Sequence, residues 1–253
     1  MTAIWKTVAP PYWAYFGQRL VDLANIPAAA RVLDIGSGRG TSLLPAATRV
    51  GPRGLAVGID NWKEHVQGTF FEGKQRGLDA WMVEMDAEHL GFRNDSFDYV
   101  LSGFAVCWFS LRDVFPLLRD GGRIALSSWA WQQDSEWMGE LIGRLIPEPG
   151  NTDKRPRVYS MDTVESLEDV LDKAGFRDIL VLREDRAFVF RDEEEWWGVM
   201  ESSGWQNHLA RIQSSGSGVL EKLKGDACAM LQNHQDADGI RFTRSVLFAF
   251  GTK

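Results

Sequence analysis

The stretch Val32-Leu33-Asp34-Ile35-Gly36-Ser37-Gly38-Arg39-Gly40 decides the fold of this chain. An apolar run with β-branched residues ends in closely spaced glycines, and an apolar pattern with helical spacing follows over residues 41–50. This order predicts a strand, a tight turn and a helix. Glycine is needed where the backbone takes a positive φ, or where it approaches a ligand so closely that a Cβ atom would collide. We therefore predict that the turn lies against a ligand.

A second apolar run, over residues 55–59, ends in Asp60, twenty residues after Gly40. An acidic side chain at the end of the second strand of a βαβ unit can accept hydrogen bonds from both hydroxyls of a ribose. The two segments together predict a nucleoside-binding unit. A dinucleotide site has the spacing Gly-x-Gly-x-x-Gly and faces a pyrophosphate with the first turn of a helix. Gly36, Gly38 and Gly40 have the spacing Gly-x-Gly-x-Gly instead, which disfavours a dinucleotide.

Three later segments predict the next strands of the same sheet, over residues 81–85, 97–102 and 124–127. The third strand is followed by Asp86-Ala87-Glu88-His89, and the turn Arg119-Asp120-Gly121-Gly122-Arg123 precedes the fifth. Strands that alternate with helical patterns are typical of a doubly wound parallel sheet.

In this order and spacing, the motifs resemble those of class I S-adenosylmethionine-dependent methyltransferases over residues 28–130. The chain is most similar to the ubiquinone/menaquinone-biosynthesis C-methyltransferase-like group, which includes many small-molecule and natural-product methyltransferases. The resemblance implies a doubly wound, Rossmann-like α/β fold with a seven-stranded sheet, an antiparallel seventh strand and helical cap elements. It also implies S-adenosyl-L-methionine as the cofactor.

The resemblance further implies roles for single residues of the cofactor site. Asp86 is expected to face the adenine amino group, and the backbone N–H of Ala87 to face a ring nitrogen. An N-terminal element with Tyr12 and Tyr15 is expected to close over the cofactor. The residues that we expect to bind the cofactor are Tyr12, Asp34, Gly36, Ser37, Gly38, Asp60, Asn61, Asp86, Ala87, Ser102 and Gly103.

The chain departs from the family pattern in three places. Asp120 stands where a proline is usual, and Gly91 replaces a proline before Phe92. Residues 104–118 are too few for a loop and a full helix, so we expect the fourth helix to be about one turn short. This helix borders the methyl-transfer site, so its shortening bears on the acceptor rather than on the cofactor.

We predict a single domain over residues 1–253, in which the segments outside the core serve the substrate. Residues 1–27 contain a lid helix, and residues 28–130 form the cofactor-binding core. Residues 131–160 and 191–240 are predicted insertions on the substrate side. The first is rich in loop residues, and the second is helical with a Ser-Gly break.

Between the two insertions, the sequence predicts a helix and a strand. Asp162-Thr163-Val164-Glu165 predicts a capping box at the start of a helix that ends at Ala174-Gly175. Residues 176–190 hold the sixth strand, and residues 242–250 form the seventh.

Aromatic residues indicate where the acceptor binds. Most of the eleven tryptophans lie outside the segment from the first to the fifth strand. Tryptophan lines apolar pockets and stacks on flat rings, but it also fixes peripheral helices to a sheet, and both interpretations stay open here. We expect three peripheral segments to converge on one aromatic pocket, whose substrate-binding residues are Tyr15, Phe16, Trp129, Trp131, Trp196 and Trp197.

Methyl transfer from a sulfonium is an in-line displacement, for which the enzyme supplies proximity, alignment and the exclusion of water. A general base is needed only where the acceptor must lose a proton. His89 follows the adenine motif near the edge of the sheet and is the candidate catalytic base; the alternative is a plain surface histidine. The acceptor molecule and the methylated atom, C, N or O, stay open.

Composition disfavours several classes of protein. The formal net charge is −7 and no stripe of Lys and Arg is present, which disfavours a nucleic-acid partner. No run approaches the roughly eighteen apolar residues of a membrane span, and the first residues lack the pattern of a signal peptide. Two cysteines give no disulfide framework, and we expect Cys107 to be a buried, inert thiol. We therefore expect a cytoplasmic protein without a metal site, and its oligomeric state stays open.

Three alternative functions remain at this point. A methyltransferase fold can keep the cofactor and catalyse a non-methylating reaction such as a cyclisation, and the cofactor motifs do not separate the two. A non-catalytic protein that binds S-adenosylmethionine would share the same motifs. An NAD-dependent reductase is disfavoured by the glycine spacing and by the lack of a Tyr-x-x-x-Lys pair.

Overall fold

The computed structural model of the protein describes residues 10–145, 161–201 and 206–253. These residues form one mixed sheet with helices packed on both faces. The helices are α1 (Pro11–Ala24), α2 (Leu43–Val50), α3 (Lys63–Gln75), α4 (Leu111–Val114), α5 (Gln133–Leu145), α6 (Val164–Ala174), α7 (Glu193–Glu201), α8 (Gln206–Ser215) and α9 (Val219–Leu231). The strands are β1 (Arg31–Ile35), β2 (Leu55–Asp60), β3 (Ala80–Glu84), β4 (Phe97–Gly103), β5 (Leu118–Trp129), β6 (Arg177–Phe190), β7 (Gln235–Asp236) and β8 (Gly239–Thr252).

The sheet has the strand order β3-β2-β1-β4-β5-β8-β6, and the two-residue β7 pairs with β8. Strands β1 to β5 are parallel, whereas β8 runs antiparallel to both β5 and β6. The predicted doubly wound sheet and its antiparallel last strand are confirmed. The predicted seventh strand is β8, because the short β7 precedes it as the first arm of a hairpin.

The central strand β1 shows how the sheet divides the core. Four of its five residues are buried, and successive side chains point to opposite faces. Val32 packs in the layer of α1 and α2, whereas Leu33 and Ile35 pack in the layer of α4 and α6. Asp34 lies on the Val32 face by the same alternation, so a carboxyl group enters an otherwise apolar layer.

The helices α1 and α6 form as the sequence predicts. In α1, Pro11 stands in the first turn, and Asn25 in a left-handed conformation ends the helix. In α6, the backbone N–H of Ser166 donates to Thr163 Oγ1 at 3.1 Å, and the N–H of Thr163 donates to Ser166 Oγ at 3.3 Å. The capping box therefore uses Ser166, and the prediction that used Glu165 was one residue early.

Two other expectations differ from the structure. The insertion predicted to be rich in loops contains α5, because this helix buries Trp137 and Met138 against the core; residues 146–160 lie outside the described residues. Cys107 is exposed rather than buried, because it lies on a short 3₁₀ turn that buries only Val106. The shortened fourth helix is confirmed, since α4 has only four residues.

Candidate active site

The turn between β1 and α2 lies at the carboxyl end of the parallel strands. Gly36 and Gly38 have φ angles of 68° and 53°, which residues with a Cβ atom rarely adopt. A Cβ atom on Gly36 would also lie 2.4 Å from the Cβ of Ala105. A Cβ atom on Gly38 would have its nearest neighbour, the Gly36 carbonyl oxygen, 4.0 Å away. The backbone at Gly38 therefore faces open space, as a ligand-binding turn requires.

Asp60, at the end of β2, ties this turn to the next loop. The backbone N–H groups of Gly38 and Trp62 donate to Oδ2 and Oδ1 of Asp60, each at 2.9 Å. His65 Nδ1 lies 3.2 Å from the same Oδ1. Burial raises the pKa of Asp60, but the hydrogen bonds outweigh burial and lower the pKa below its usual value. A carboxylate has about four lone-pair sites, so these partners leave room for a further donor.

Asp34 is fully buried beneath α2. Its Oδ2 accepts a hydrogen bond from Ser42 Oγ at 2.7 Å, whereas its Oδ1 has no partner among the described residues. Burial raises the pKa of Asp34 to about 7, despite the hydrogen bond from Ser42. The Ser37 hydroxyl is also buried and lacks a partner in the described part of the chain. Such atoms cost free energy unless a ligand or a water pairs with them.

The other predicted cofactor residues lie at or just after the carboxyl ends of β2, β3 and β4. Ser102 Oγ donates to the carbonyl oxygen of Ile35 at 3.0 Å, so this hydroxyl links β4 to β1. Asp86 Oδ1 accepts a hydrogen bond from the backbone N–H of Glu88 at 2.9 Å. The remaining positions lie at the same edge of the sheet: Asn61 after β2, Ala87 after Asp86 and Gly103 at the end of β4.

His89, the predicted base, lies on the surface. Its side chain is 82% exposed, and its Nδ1 is 3.5 Å from Asp86 Oδ2. A general base must come within hydrogen-bond reach of the proton that it removes. His89 meets that condition only for an acceptor that lies next to Asp86, so its catalytic role stays a prediction.

Rings from α1, β5 and the residue after β4 form one group, which we call the α1 aromatic cluster: Tyr12, Trp13, Phe16, Phe104 and Trp129. Phe104 stacks on Trp129 with ring centroids 4.2 Å apart. Trp13 contacts these two rings at 4.9 and 5.2 Å. Trp129 also contacts Tyr12 at 5.6 Å and Phe16 at 6.2 Å. The N-terminal helix therefore meets the carboxyl ends of β4 and β5.

Tyr15 lies at the margin of this cluster and anchors α1 to β6. Its ring contacts Phe16 at 5.1 Å, and its hydroxyl donates to Glu184 Oε1 at 2.6 Å. Arg19 Nε donates to the other oxygen of Glu184 at 2.7 Å. Both polar contacts hold α1 against the sheet.

The other predicted pocket residues lie apart from this cluster. Trp196 is fully buried and stacks on Trp137 of α5 with ring centroids 5.5 Å apart. Trp197 Nε1 donates to Glu201 at 2.8 Å, and Trp131 is 57% exposed. No ring contact within the described residues joins Trp196 or Trp197 to Trp129. The expected single aromatic pocket is therefore two groups of rings, because Trp196 contacts Trp137 of α5 and Phe242 of β8 rather than a ring of α1.

Sequence reasoning missed two residues of this edge. His65 lies on the first turn of α3 and contacts Asp60; its position five residues after the acid could have indicated it. Phe104 has a φ angle of 61°, which turns its ring towards Trp129. No sequence signal predicts a positive φ at a phenylalanine.

A sequence model of the family described as "Methyltransferase domain" matches residues 26–175, more than half of the chain. The chain belongs to the methyltransferase-domain family. Its fold agrees with that assignment: the Bacillus subtilis protein YcgJ, a solved structure 19% identical in sequence, has a TM-score of 0.61, covering 94% of this chain and 98% of that one. A likeness at such low identity shows the fold alone.

The names of several relatives of this chain agree with the group predicted from the sequence, the small-molecule methyltransferases. It is 38% identical to aklanonic acid methyltransferase of Streptomyces sp. (strain C5) over 123 residues, 46% of this chain and 56% of that protein. It is 30% identical to nocamycin O-methyltransferase of Saccharothrix syringae over 204 residues, 73% of this chain and 72% of that protein. It is 27% identical to a ubiquinone/menaquinone biosynthesis C-methyltransferase of Methylococcus capsulatus, over 68% of this chain and 73% of that protein. The match thus spans little more than half of the first relative.

The residues of the glycine turn fit S-adenosylmethionine, the cofactor of this methyltransferase family. Its α-amino group is a cationic donor, which matches the unpartnered Oδ1 of buried Asp34. A ribose hydroxyl is a donor, which matches the lone-pair site left on ionised Asp60. The open space at Gly38 leaves room for the amino-acid end of the molecule.

Proposed function

We propose that this chain transfers a methyl group from S-adenosylmethionine to a small apolar or aromatic acceptor by in-line displacement. The observation that carries the proposal is the unit of glycine turn, unpartnered Asp34 and hydrogen-bonded Asp60 at one sheet edge. The α1 aromatic cluster lies at the neighbouring ends of β4 and β5, where doubly wound sheets bind their ligands. The residues proposed to bind the cofactor are therefore adjacent to the rings proposed to bind the acceptor.

The proposed roles of the cofactor residues follow from their chemistry. Asp60 accepts from the ribose hydroxyls, and Asp34 pairs with the α-amino group. The backbone of Gly36 and Gly38 admits the amino-acid end, next to Ser37. Asn61, Asp86 and Ala87, in the loops after β2 and β3, would hold the adenine. Ser102, Gly103 and Tyr12 complete the wall of the site.

The bound cofactor supplies an activated methyl group on a sulfonium. The protein's own residues position the acceptor and exclude water, because the charge of the sulfonium disperses as the methyl group leaves and a dry site favours that change. Phe104 and Trp129 provide the flat surface beside the transfer site, and Tyr12 and Phe16 cover it. His89 would take a proton only from an acceptor that ionises on transfer.

The domain assignment extends this proposal to the rest of the chain. Residues 1–27 would serve as the lid, residues 28–130 as the cofactor core, and residues 131–160 and 191–240 as substrate-side cover. The contacts of Tyr15 and Arg19 with Glu184 support the first of these roles. Residues 1–9 and 146–160 lie outside the described part.

A small-molecule partner and a cytoplasmic location belong to the same proposal. The net charge of −7 supports the lack of a nucleic-acid partner. Among the described helices, none is long and apolar enough to cross a membrane.

The comparisons do not favour the alternatives from the sequence. The three relatives described above carry the names of methyltransferases, which favours methyl transfer over cyclisation. The Gly-x-Gly-x-Gly spacing and the family assignment both disfavour an NAD-dependent reductase.

Two measurements on the purified chain test the proposal. Calorimetry should show binding of S-adenosylhomocysteine and no comparable binding of NAD. Incubation with S-adenosylmethionine and a panel of aromatic acceptors should release S-adenosylhomocysteine together with a product that is heavier by one CH₂ unit. Tighter binding of NAD would contradict the cofactor, and conversion of an acceptor without S-adenosylhomocysteine would favour the cyclase.

A further inference from the structure

Gly17 lies where helix α1 packs against Thr41, the residue that follows Gly40 of the glycine turn. Gly17 is buried in the middle of α1. A Cβ atom on Gly17 would lie 2.5 Å from the carbonyl carbon of Thr41 and 2.8 Å from its Cβ atom, and closer still to its carbonyl oxygen. The carbonyl group belongs to the backbone, so a new rotamer of Thr41 would not make room. Only a residue without a Cβ atom lets α1 approach the turn this closely.

Pro45 keeps the carbonyl group of Thr41 out of the hydrogen-bond ladder at the start of α2. The bond to Thr41 would come from the N–H of residue 45, and proline has no N–H. The two flanking bonds of the ladder are formed, with N–H donors and carbonyl acceptors in the pairs Leu44–Gly40 and Ala46–Ser42, at 2.9 and 3.0 Å. The Thr41 oxygen faces the Cα hydrogen of Gly17 instead. Contacts of this kind recur where helices pack closely.

The glycine turn, on one side of this contact, is fixed by its own hydrogen bonds. The backbone N–H of Gly38 donates to Asp60 Oδ2 at 2.9 Å. Thr69 Oγ1 donates to the carbonyl oxygen of Gly38 at 2.8 Å, and the N–H of Gly40 donates to the carbonyl oxygen of Ser37 at 2.8 Å. The turn is therefore a rigid support for whatever packs on it.

Helix α1, on the other side of the contact, carries three rings of the α1 aromatic cluster. Trp13 precedes Gly17 by one helical turn and lies on the same face of the helix. Its ring contacts Phe104 at 4.9 Å and Trp129 at 5.2 Å. Phe16, which is next to Gly17, contacts Trp129 at 6.2 Å. A displacement of α1 at Gly17 would therefore move these rings relative to the carboxyl ends of β4 and β5.

We propose that Gly17 is a positioning residue for methyl transfer, an inference that rests on the proposed function. By letting α1 rest directly on the glycine turn, it fixes the distance between the α1 aromatic cluster and the cofactor. An in-line displacement depends on such alignment, since a misplacement of about 1 Å can lower a rate roughly a hundredfold. The same contact passes the order that a bound cofactor gives to the turn on to α1.

Hydrogen exchange of the unaltered chain tests the contact without an acceptor. Saturation with S-adenosylhomocysteine should slow the exchange of the backbone amides of residues 17–24 about fivefold more than that of the amides of α9. The comparison with α9 removes any general gain in stability, which would slow both helices. Residues 17–24 also lie beyond Tyr12, which is proposed to contact the cofactor itself. Equal slowing of the two helices, with S-adenosylhomocysteine bound, would overturn the inference.

Gly17→Ala tests the same contact, with Gly225→Ala in α9 as the matched control. Both changes replace a glycine inside a helix and raise its helix propensity, but a Cβ atom on Gly225 would meet no atom of the described residues within 4 Å. Gly17→Ala should lower kcat about tenfold or more and keep its affinity for S-adenosylhomocysteine within about threefold, because it moves α1 while the turn keeps its hydrogen bonds. It should also lose the extra slowing of residues 17–24. Gly225→Ala should behave as the unaltered chain does.

Calorimetry with S-adenosylhomocysteine, and the rate of its formation with an aromatic acceptor that the unaltered chain methylates, give the affinity and kcat. A folded Gly17→Ala variant that keeps its kcat, or keeps the extra slowing, would overturn the inference and leave the proposed function intact. A comparable loss of cofactor affinity would place the displacement in the turn and overturn it as well. If this variant does not fold, hydrogen exchange of the unaltered chain decides alone. Failure of the unaltered chain to bind S-adenosylhomocysteine would instead contradict the proposed function.

Discussion

The backbone N–H of Gly38 donates a hydrogen bond of 2.9 Å to Asp60 Oδ2. The turn after β1 and the acid at the end of β2 are therefore one unit. The turn keeps its shape because Asp60 accepts from it, and Asp60 stays ionised in part because the turn donates to it. A substitution at Asp60 should consequently affect both the ribose contact and the turn.

Asp60→Ala is expected to weaken S-adenosylmethionine binding about ten- to a hundredfold, since hydrogen bonds to a charged acceptor are worth roughly 1.5–3 kcal/mol. Calorimetry with S-adenosylmethionine and S-adenosylhomocysteine measures the change. Asp79→Ala removes an exposed carboxylate just before β3 and is the matched control. If Asp60→Ala binds S-adenosylmethionine with unchanged affinity, the assignment of Asp60 to the ribose is wrong.

The stability of the free chain should carry a pH dependence from Asp34. Burial raises its pKa from 3.8 to about 7, so between these values the folded chain holds a proton that the unfolded chain has released. The contribution of Asp34 therefore falls as pH rises from about 4 to 7, by at most about 1.4 kcal/mol per pH unit, and is constant above that.

Asp34→Asn should remove this contribution. Subtracting the unfolding free energies of the variant from those of the unaltered chain, measured by urea titration at several pH values, isolates it from the other carboxyl groups. Asp79→Asn serves as the exposed control. A difference that stays flat between pH 4 and 7 would show that Asp34 is ionised throughout.

His89→Ala should retain turnover within about tenfold of the unaltered chain, because an exposed histidine is poorly placed as an essential base, which typically contributes about 10²–10⁴-fold. The rate of S-adenosylhomocysteine formation, with an acceptor that the unaltered chain methylates, measures this. A loss of a hundredfold or more in kcat, with cofactor binding intact, would establish His89 as the proton acceptor.

His65→Ala provides a contrast to the change at His89. His65 contacts Asp60, so its removal should weaken cofactor binding by severalfold. If it lowered kcat alone, the supporting role assigned to His65 would be wrong.

Alanine substitutions of three tryptophans should distinguish rings that line the acceptor pocket from rings that only pack the protein core. Trp196→Ala should cost about 3–5 kcal/mol of stability, because the ring is fully buried against Trp137. Trp129→Ala should instead raise the acceptor KM or lower kcat, since this ring faces the proposed transfer site. Trp131→Ala, at an exposed position, should change stability by no more than about 0.5 kcal/mol.

Melting temperatures and acceptor kinetics of the three variants decide between these roles. If Trp129→Ala only melts earlier and keeps its kinetics, the α1 aromatic cluster is packing and not part of the pocket. If Trp196→Ala keeps its stability and loses affinity for the acceptor, Trp196 lines the acceptor pocket, and the assignment of its group of rings to packing is wrong.

Local signals made the cofactor half of this protein predictable. The positive φ angles at Gly36 and Gly38 and the short α4 follow from residue type and segment length, which act over a few residues. The predicted capping box was one residue early because Asp162-x-x-Glu165 and Thr163-x-x-Ser166 both fit the pattern, and residue type alone does not show which of the two caps the helix. The burial of Cys107 was mispredicted because an apolar run does not show that the chain leaves the core in a 3₁₀ turn.

By itself, the sequence determined the order of strands, turns and helices and the acids near the ends of β1 and β2, because periodicity and glycine spacing are local properties of the chain. Only the tertiary structure decided how the aromatic rings group and that Arg244 meets Asp134 from 110 residues away. A hydrophobic pattern states which face of an element is buried but not which element covers it. The packing of whole helices decides which partner a side chain meets. The acceptor site depends on that packing.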